Sequence, residues 1–299
     1  MISIFFILLL SVSELSSVPF DAVEDIPVPK GFQRAKVEKE SFAEYLRRQK
    51  LNRKDDTVYL YNGRMKKNQY AQYAVLLTDI GTKDLQQCAD AVIRLRAEYL
   101  YERRRYPEIH FNFTNGETVH FENYAEGFRL SGFHKEMSVW KKSGKKDYSY
   151  PSFRKYLDLV FTYAGTSSLL RELKKVNISS IQAGDVFIQS RQPFGHAVIV
   201  MDTAFNSEGQ RIFLLAQSYM PAQNIHILRN PLSDSPWYKT EKKIVEFMTE
   251  IIPRHQERVK FNCPENLLDQ FIYDSTRFVM RLSETDRIDT YKVELKVDG

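Results

Sequence analysis

Residues Ala183 to Tyr219 read AGDVFIQSRQPFGHAVIVMDTAFNSEGQRIFLLAQSY. Three apolar runs, Asp185–Gln189, His196–Asp202 and Ile212–Gln217, are separated by segments carrying Gly, Pro, Asn and Ser, the residues that turn a chain. The pattern predicts consecutive antiparallel strands and a small core sheet over residues 183–219. The middle run, His-Ala-Val-Ile-Val-Met-Asp, is apolar on both alternating faces, which requires cover on each side and makes it the central strand. A period of two puts His196, Val198, Val200 and Asp202 on one face and Ala197, Ile199 and Met201 on the other. Gly195 lets another backbone approach where the imidazole emerges. A histidine in that place is either a general base or a core residue bonded to a carbonyl, and the strand alone leaves both open.

Upstream, the most helical stretch is Asp84–Arg105. Leu85, Cys88, Ala89, Val92, Leu95 and Tyr99 fall at three- and four-residue steps on one face, while Arg94, Arg96, Glu98 and Glu102 occupy the rest. Asp84, with Gln87 three places on, is the expected N-cap, and Pro107 closes the segment. Cys88 is thereby placed in the first turn on the inward face, where free backbone N–H groups favour a thiolate. The alternative is a small buried hydrophobe, the common fate of a free cysteine.

With 299 residues, 43% apolar and 13% aromatic, the chain can bury one large core with extensions. Its 43 Lys and Arg against 38 Asp and Glu give a net charge of +5, interspersed, and no nucleic-acid-binding motif is present. The opening Met-Ile-Ser-Ile-Phe-Phe-Ile-Leu-Leu-Leu is too short an apolar run to span a bilayer and has the character of a secretory signal core over residues 1–17, although it lacks a basic start. Export to a periplasm or envelope is the corresponding expectation, with no integral membrane segment after signal removal. Residues 18–50 read as an extended lead-in and a helix, and 51–299 as a single α+β domain. Of the two cysteines, Cys88 and Cys263, an oxidising compartment would allow pairing, which would exclude catalysis by Cys88. No cysteine or histidine spacing suits a metal, and His110 and His120 look isolated. The aromatic segment Phe111–Phe133 is either part of a substrate groove or a cover for the core.

Gly184-Asp185-Val186-Phe187-Ile188, followed by Gly195-His196-Ala197-Val198-Ile199-Val200, resembles the GDV…GHVAIV pattern of CHAP and NlpC-type peptidoglycan amidopeptidases, and Gln87-Cys88 looks like the start of their cysteine helix. The chain order of cysteine at a helix N-terminus, histidine opening a central strand and a polar residue on the next strand is that of papain-like cysteine hydrolases. As a whole, from about residue 25 on, the phrases QQCADAVIRLRAEYLY, GDVFIQ, GHAVIV and LLAQSYMPAQNIHIL make the chain similar to a domain-of-unknown-function family, number 4846, of Bacteroidota. The resemblance to the amidopeptidases implies a papain-like α+β core, a long helix packed on the sheet, with Cys88 as nucleophile, His196 as general base and then acid, and Gln217 as the group that orients the imidazole by accepting its Nδ1 proton. It implies an exported hydrolase acting on an amide bond in peptidoglycan or another peptide, without a cofactor; a silent envelope scaffold keeping the same fold is the alternative. The chain departs from those families in three places. Ala89-Asp90 follows the cysteine in place of Ser-Gly, 108 residues (196 minus 88) separate cysteine from histidine, and glutamine stands where His, Asn or Glu is usual. Asp202, six residues along the strand, lies roughly 20 Å from His196 and is a poor third member. Asp185 is expected to anchor a turn, and Gln223 and His226 either to line a groove or, the reading preferred, to lie in a surface loop.

Overall fold

The computed structural model describes residues 20–135, 137–189 and 195–239, and the backbone of 279–281. The signal-like segment 1–17, Cys263 and most of the last sixty residues lie outside them. In chain order the elements are β1 (Phe32–Arg34), α1 (Phe42–Arg47), β2 (Gln72–Val75), α2 (Cys88–Glu102), β3 (His110–Asn112), β4 (Thr118–His120), α3 (Phe121–Ala125), β5 (Phe128–Gly132) and β6 (Val139–Lys142). Then follow α4 (Tyr150–Tyr163), α5 (Thr166–Glu172), β7 (Lys174–Val176), β8 (Asp185–Gln189), β9 (His196–Asn206), β10 (Arg211–Gln217), β11 (His226–Leu228), β12 (Tyr238–Lys239) and β13 (Val279–Arg281). The class is α+β.

The three strands read from the sequence, β8, β9 and β10, are the middle of a larger sheet, nine strands among the described residues, ordered β2-β11-β10-β9-β8-β13-β7, with β1 on β9 and β12 on β10. Its pairs are antiparallel. The small sheet expected over 183–219 is thus extended by short strands too brief to show a period of their own. The lead-in docks on the sheet through β1, whose Phe32 lies opposite Asn206. Two further hairpins, β3-β4 and β5-β6, stand apart from the main sheet.

β9 is covered on both faces, as its composition requires. Ala197, Ile199 and Met201 pack with α2, α4 and their neighbours in the main core, and Val198 and Val200 pack with Phe187, Phe213, Leu215 and Tyr238 on the other side. Each such fully buried Val or Ile contributes roughly 1.5–3 kcal/mol. The alternation fails at one point. Leu215 lies opposite Val200 but Leu214 opposite Asp202, so Met201 is an extra residue, a bulge. Residues directly opposite share a face, and Asp202 is therefore turned to the side of Leu214 and α2, away from the face of His196 and Val198. There it meets Arg34 of β1 and Arg47 of α1, the latter at 2.6 Å.

α2 begins at Cys88 and ends at Glu102, shorter at both ends than the expected 84–105. It is a central helix, with every residue from Cys88 to Leu100 buried. Of the charged residues assigned to an outer face, Glu102 is exposed as expected, but Arg94, Arg96 and Glu98 are buried and partnered. Arg94 bonds the Asp79 carboxylate at 3.0 Å and Glu98 at 3.3 Å, and Arg96 lies over the rings of Phe42 and Tyr99.

Candidate functional site

The thiol is positioned by the start of α2. Gln87 is the N-cap and Cys88 the first helical residue. Asp90 at N3 reaches back, its Oδ2 accepting the Gln87 N–H at 3.0 Å. Asp84, the expected cap, is engaged elsewhere. Its Oδ1 accepts the Ala222 N–H at 2.7 Å and the Gln87 side-chain amide at 3.2 Å, tying the helix approach to the segment after β10. Ser218, buried in the same place, donates to the Gln86 carbonyl at 2.8 Å and contacts that of Gln223 at 2.9 Å.

Cys88 Sγ rests against the backbone at the start of β9. It lies 4.0 Å from the Gly195 carbonyl oxygen and accepts from the N–H of Ala197, the residues on either side of His196. The glycine is required there: a Cβ on Gly195 would collide with the Thr166 hydroxyl and stand 2.5 Å from the Gln189 carbonyl. Burial first, and the neighbouring Asp90 carboxyl second, push the thiol up to about 11. Backbone N–H groups at the helix start act the other way but do not prevail, since a helix dipole supplies about 1 kcal/mol and the desolvation of a sealed thiolate exceeds it. Asp90 itself is pushed up to about 8 by burial. Cys88 is a free thiol.

His196 opens β9 and Gln217 closes β10, and their side chains share a face. The Gln217 Oε1 stands 2.8 Å from His196 Nε2. A carbonyl oxygen only accepts, so Nε2 carries the proton and Nδ1 the lone pair. The expectation had the opposite nitrogen facing the glutamine. Burial pushes the imidazole down to about 4, against the pull of the Gln217 bond. Tyr219 stands edge-on to the ring at 5.1 Å. Among the described residues no hydrogen bond joins the thiol to the imidazole; the two meet through the β9 backbone, and both are neutral near pH 7.

The remaining candidates fall elsewhere. Asp185 caps its turn, with Oδ2 accepting the Gln182 N–H at 2.8 Å. Gln223 and His226 are buried, not in a surface loop, and His226 lies opposite Gln217 on β11. His110 and His120 are cross-strand partners with rings 4.9 Å apart, isolated from β9 but not from each other. No group of three metal-ligating side chains occurs among the described residues. Sequence reasoning missed Ser218, Asp90 and the Asp84–Ala222 tie. The phrase Gln-Ser-Tyr directly after β10 was the available signal for the first.

An α+β protein with a buried cysteine at the start of its central helix, set against a histidine–glutamine pair on adjacent strands, is the class so defined. The chain belongs to the family described as a domain of unknown function (4846), whose profile matches residues 23–252. No curated protein and no solved structure is significantly similar to it.

Proposed function

We propose that the protein is an exported cysteine-dependent amidase or peptidase with a papain-like core, acting on a peptide amide such as those of peptidoglycan. The observation that carries this reading is the His196 Nε2–Gln217 Oε1 bond of 2.8 Å beside a helix-start cysteine, which leaves Nδ1 as the base. In the unliganded protein Sγ rests on the β9 backbone while the imidazole is bonded to Gln217 on the face away from α2, so the reaction requires substrate binding to reorient the ring and bring Nδ1 within hydrogen-bond reach of the thiol. Sγ gives its proton to Nδ1 and attacks the carbonyl carbon; the imidazolium returns that proton to the leaving amine, and water then cleaves the thioester, regenerating the thiol and releasing the acid. The Cys88 backbone N–H faces the developing oxyanion. Gln217 orients the ring but supplies no charge, so the imidazolium is less stabilised than beside a carboxylate.

A sealed thiol raised to about 11, with no bond to His196, favours a second reading, a silent scaffold that keeps the fold. Incubation with peptidoglycan peptides, read by mass spectrometry for new amino termini, separates the two. The enzyme releases amine, Cys88→Ala and His196→Ala do not, and Gln217→Ala lowers kcat by roughly a hundredfold. No release by the folded wild type establishes the scaffold.

A further inference from the structure

Away from Cys88, strand β4, helix α3 and the hairpin β5-β6 border a cleft of about 270 Å³, lined among others by Glu117, His120, Asn123, Phe128 and Trp140. Its aromatic and polar groups differ in how they are held. Trp140 is fixed: its indole N–H donates to Glu117 Oε1 at 2.6 Å, and Phe113 stacks behind it at 6.4 Å with planes 18° apart. The indole is thus held rigidly at the cleft with its polar edge already satisfied, so that it offers a ring and not a donor. Phe128, on the next strand, is exposed. Asn123 is exposed as well, and His120, whose ring lies against that of His110 at 4.9 Å, lines the cleft beside it.

A preset aromatic ring beside an exposed amide and an imidazole matches one ligand chemistry well. A pyranose has an apolar face of C–H bonds that packs on the electron-rich face of an indole or phenyl ring, and a rim of hydroxyls that both donate and accept. A carboxamide and an imidazole can both hydrogen-bond the hydroxyls of such a rim. The volume suits a single sugar ring. We propose that this cleft binds a pyranose unit of a glycan. The inference stands on the cleft alone and is independent of whether Cys88 is catalytic.

The chain has two tryptophans, Trp140 in the cleft and Trp237, which is buried with its N–H on the Pro27 carbonyl. Emission of the full-length protein, titrated with oligomers of N-acetylglucosamine and in parallel of glucose, therefore reports on the cleft. A saturable change with either series is expected. Asn123→Ala and His120→Ala, with unchanged circular dichroism, should each weaken it about tenfold, and both should leave amine release from peptides unaltered. No saturable change with either oligomer overturns the proposal. So does a change that persists undiminished in both variants, which would put the sugar elsewhere.

Discussion

At the scale of single residues, the site is decided by desolvation. The start of a helix normally lowers a thiol, and a histidine beside it normally keeps the proton. Here burial outweighs both, leaving Cys88 at about 11 and His196 at about 4. An imidazole that low and a thiol that high form a neutral pair, not a thiolate–imidazolium pair, across the whole range between those values. The consequence is measurable by alkylation. Iodoacetamide should label Cys88 slowly at pH 7, at a rate that climbs towards pH 11, and His196→Ala should leave the profile in place. Fast labelling at pH 6 that disappears in His196→Ala would demonstrate an ion pair and refute the neutral one. Proton transfer in the proposed reaction therefore occurs only with substrate bound, once the thiol and Nδ1 are brought within hydrogen-bond reach.

At the scale of elements, one extra residue redirects a side chain. The bulge at Met201 turns Asp202 from the His196 face to the α2 face, where it binds Arg34 of β1 and Arg47 of α1 and holds the N-terminal lead-in to the central strand. The Asp202 side chain is fully buried, while the arginines keep partial contact with water. Removing one partner of a buried pair is more costly than the pair is worth, because the other charges stay behind. Asp202→Ala should therefore destabilise the protein by about 3 kcal/mol in urea unfolding, whereas Arg34→Ala alone, with Arg47 still in place, should cost less than half of that. Equal costs would mean that Arg47 carries none of the interaction. The bulge also marks the limit of what the sequence discloses. β8, β9 and β10 are legible from their apolar runs, and both faces of β9 as far as Met201 follow from a period of two. Nothing in Val-Met-Asp-Thr announces an insertion, since a bulge is fixed by the pairing with β10. The Asp84 capping box failed for a similar reason, as Asp84 is claimed by Ala222, 138 residues further on. The charged residues of α2 point to the same lesson. Arg94 and Glu98 look solvent-facing in sequence, and only the three-dimensional neighbours Asp79 and Gln86 show how they can be buried. Cys88, His196 and Gln217 were legible as a chain-order pattern; the choice of imidazole nitrogen and the distance between thiol and ring were not, because both depend on side-chain placement.

At the scale of the whole molecule, the buried titratable groups give stability a characteristic dependence on pH. Burial lowers His196 and His110 to about 4, with His120 and Arg96 adding to the effect at His110. It raises Asp90 and Glu172 to about 8, the latter even though it accepts the Asn112 N–H at 2.7 Å. In the unfolded chain the histidines titrate near ~6.5 and the carboxyls near ~4. Between about pH 4 and 6.5 the unfolded chain binds extra protons at the two histidines and the native protein holds extra protons at the two carboxyls, so the slopes oppose and stability changes little. Above ~6.5 the histidines are neutral in both states and only the carboxyls differ. The native protein still holds protons that the unfolded chain has lost, and stability must fall as pH rises towards about 8, by about 3 kcal/mol in all at up to ~1.4 kcal/mol per pH unit for each group. Asp79, which Arg94 draws below the usual range, acts only in more acidic solution, and Lys66, lowered to about 8 by burial, enters only above the window. Thermal unfolding at pH 5, 6.5 and 8 should accordingly give near-equal midpoints at the first two and a midpoint roughly 5–10 °C lower at the third. Asp90→Asn, which keeps the side-chain volume and the acceptor for Gln87, should recover about half of the fall, and a Tm that stays level or rises between pH 6.5 and 8 would show that the native protein ionises these carboxyls in place.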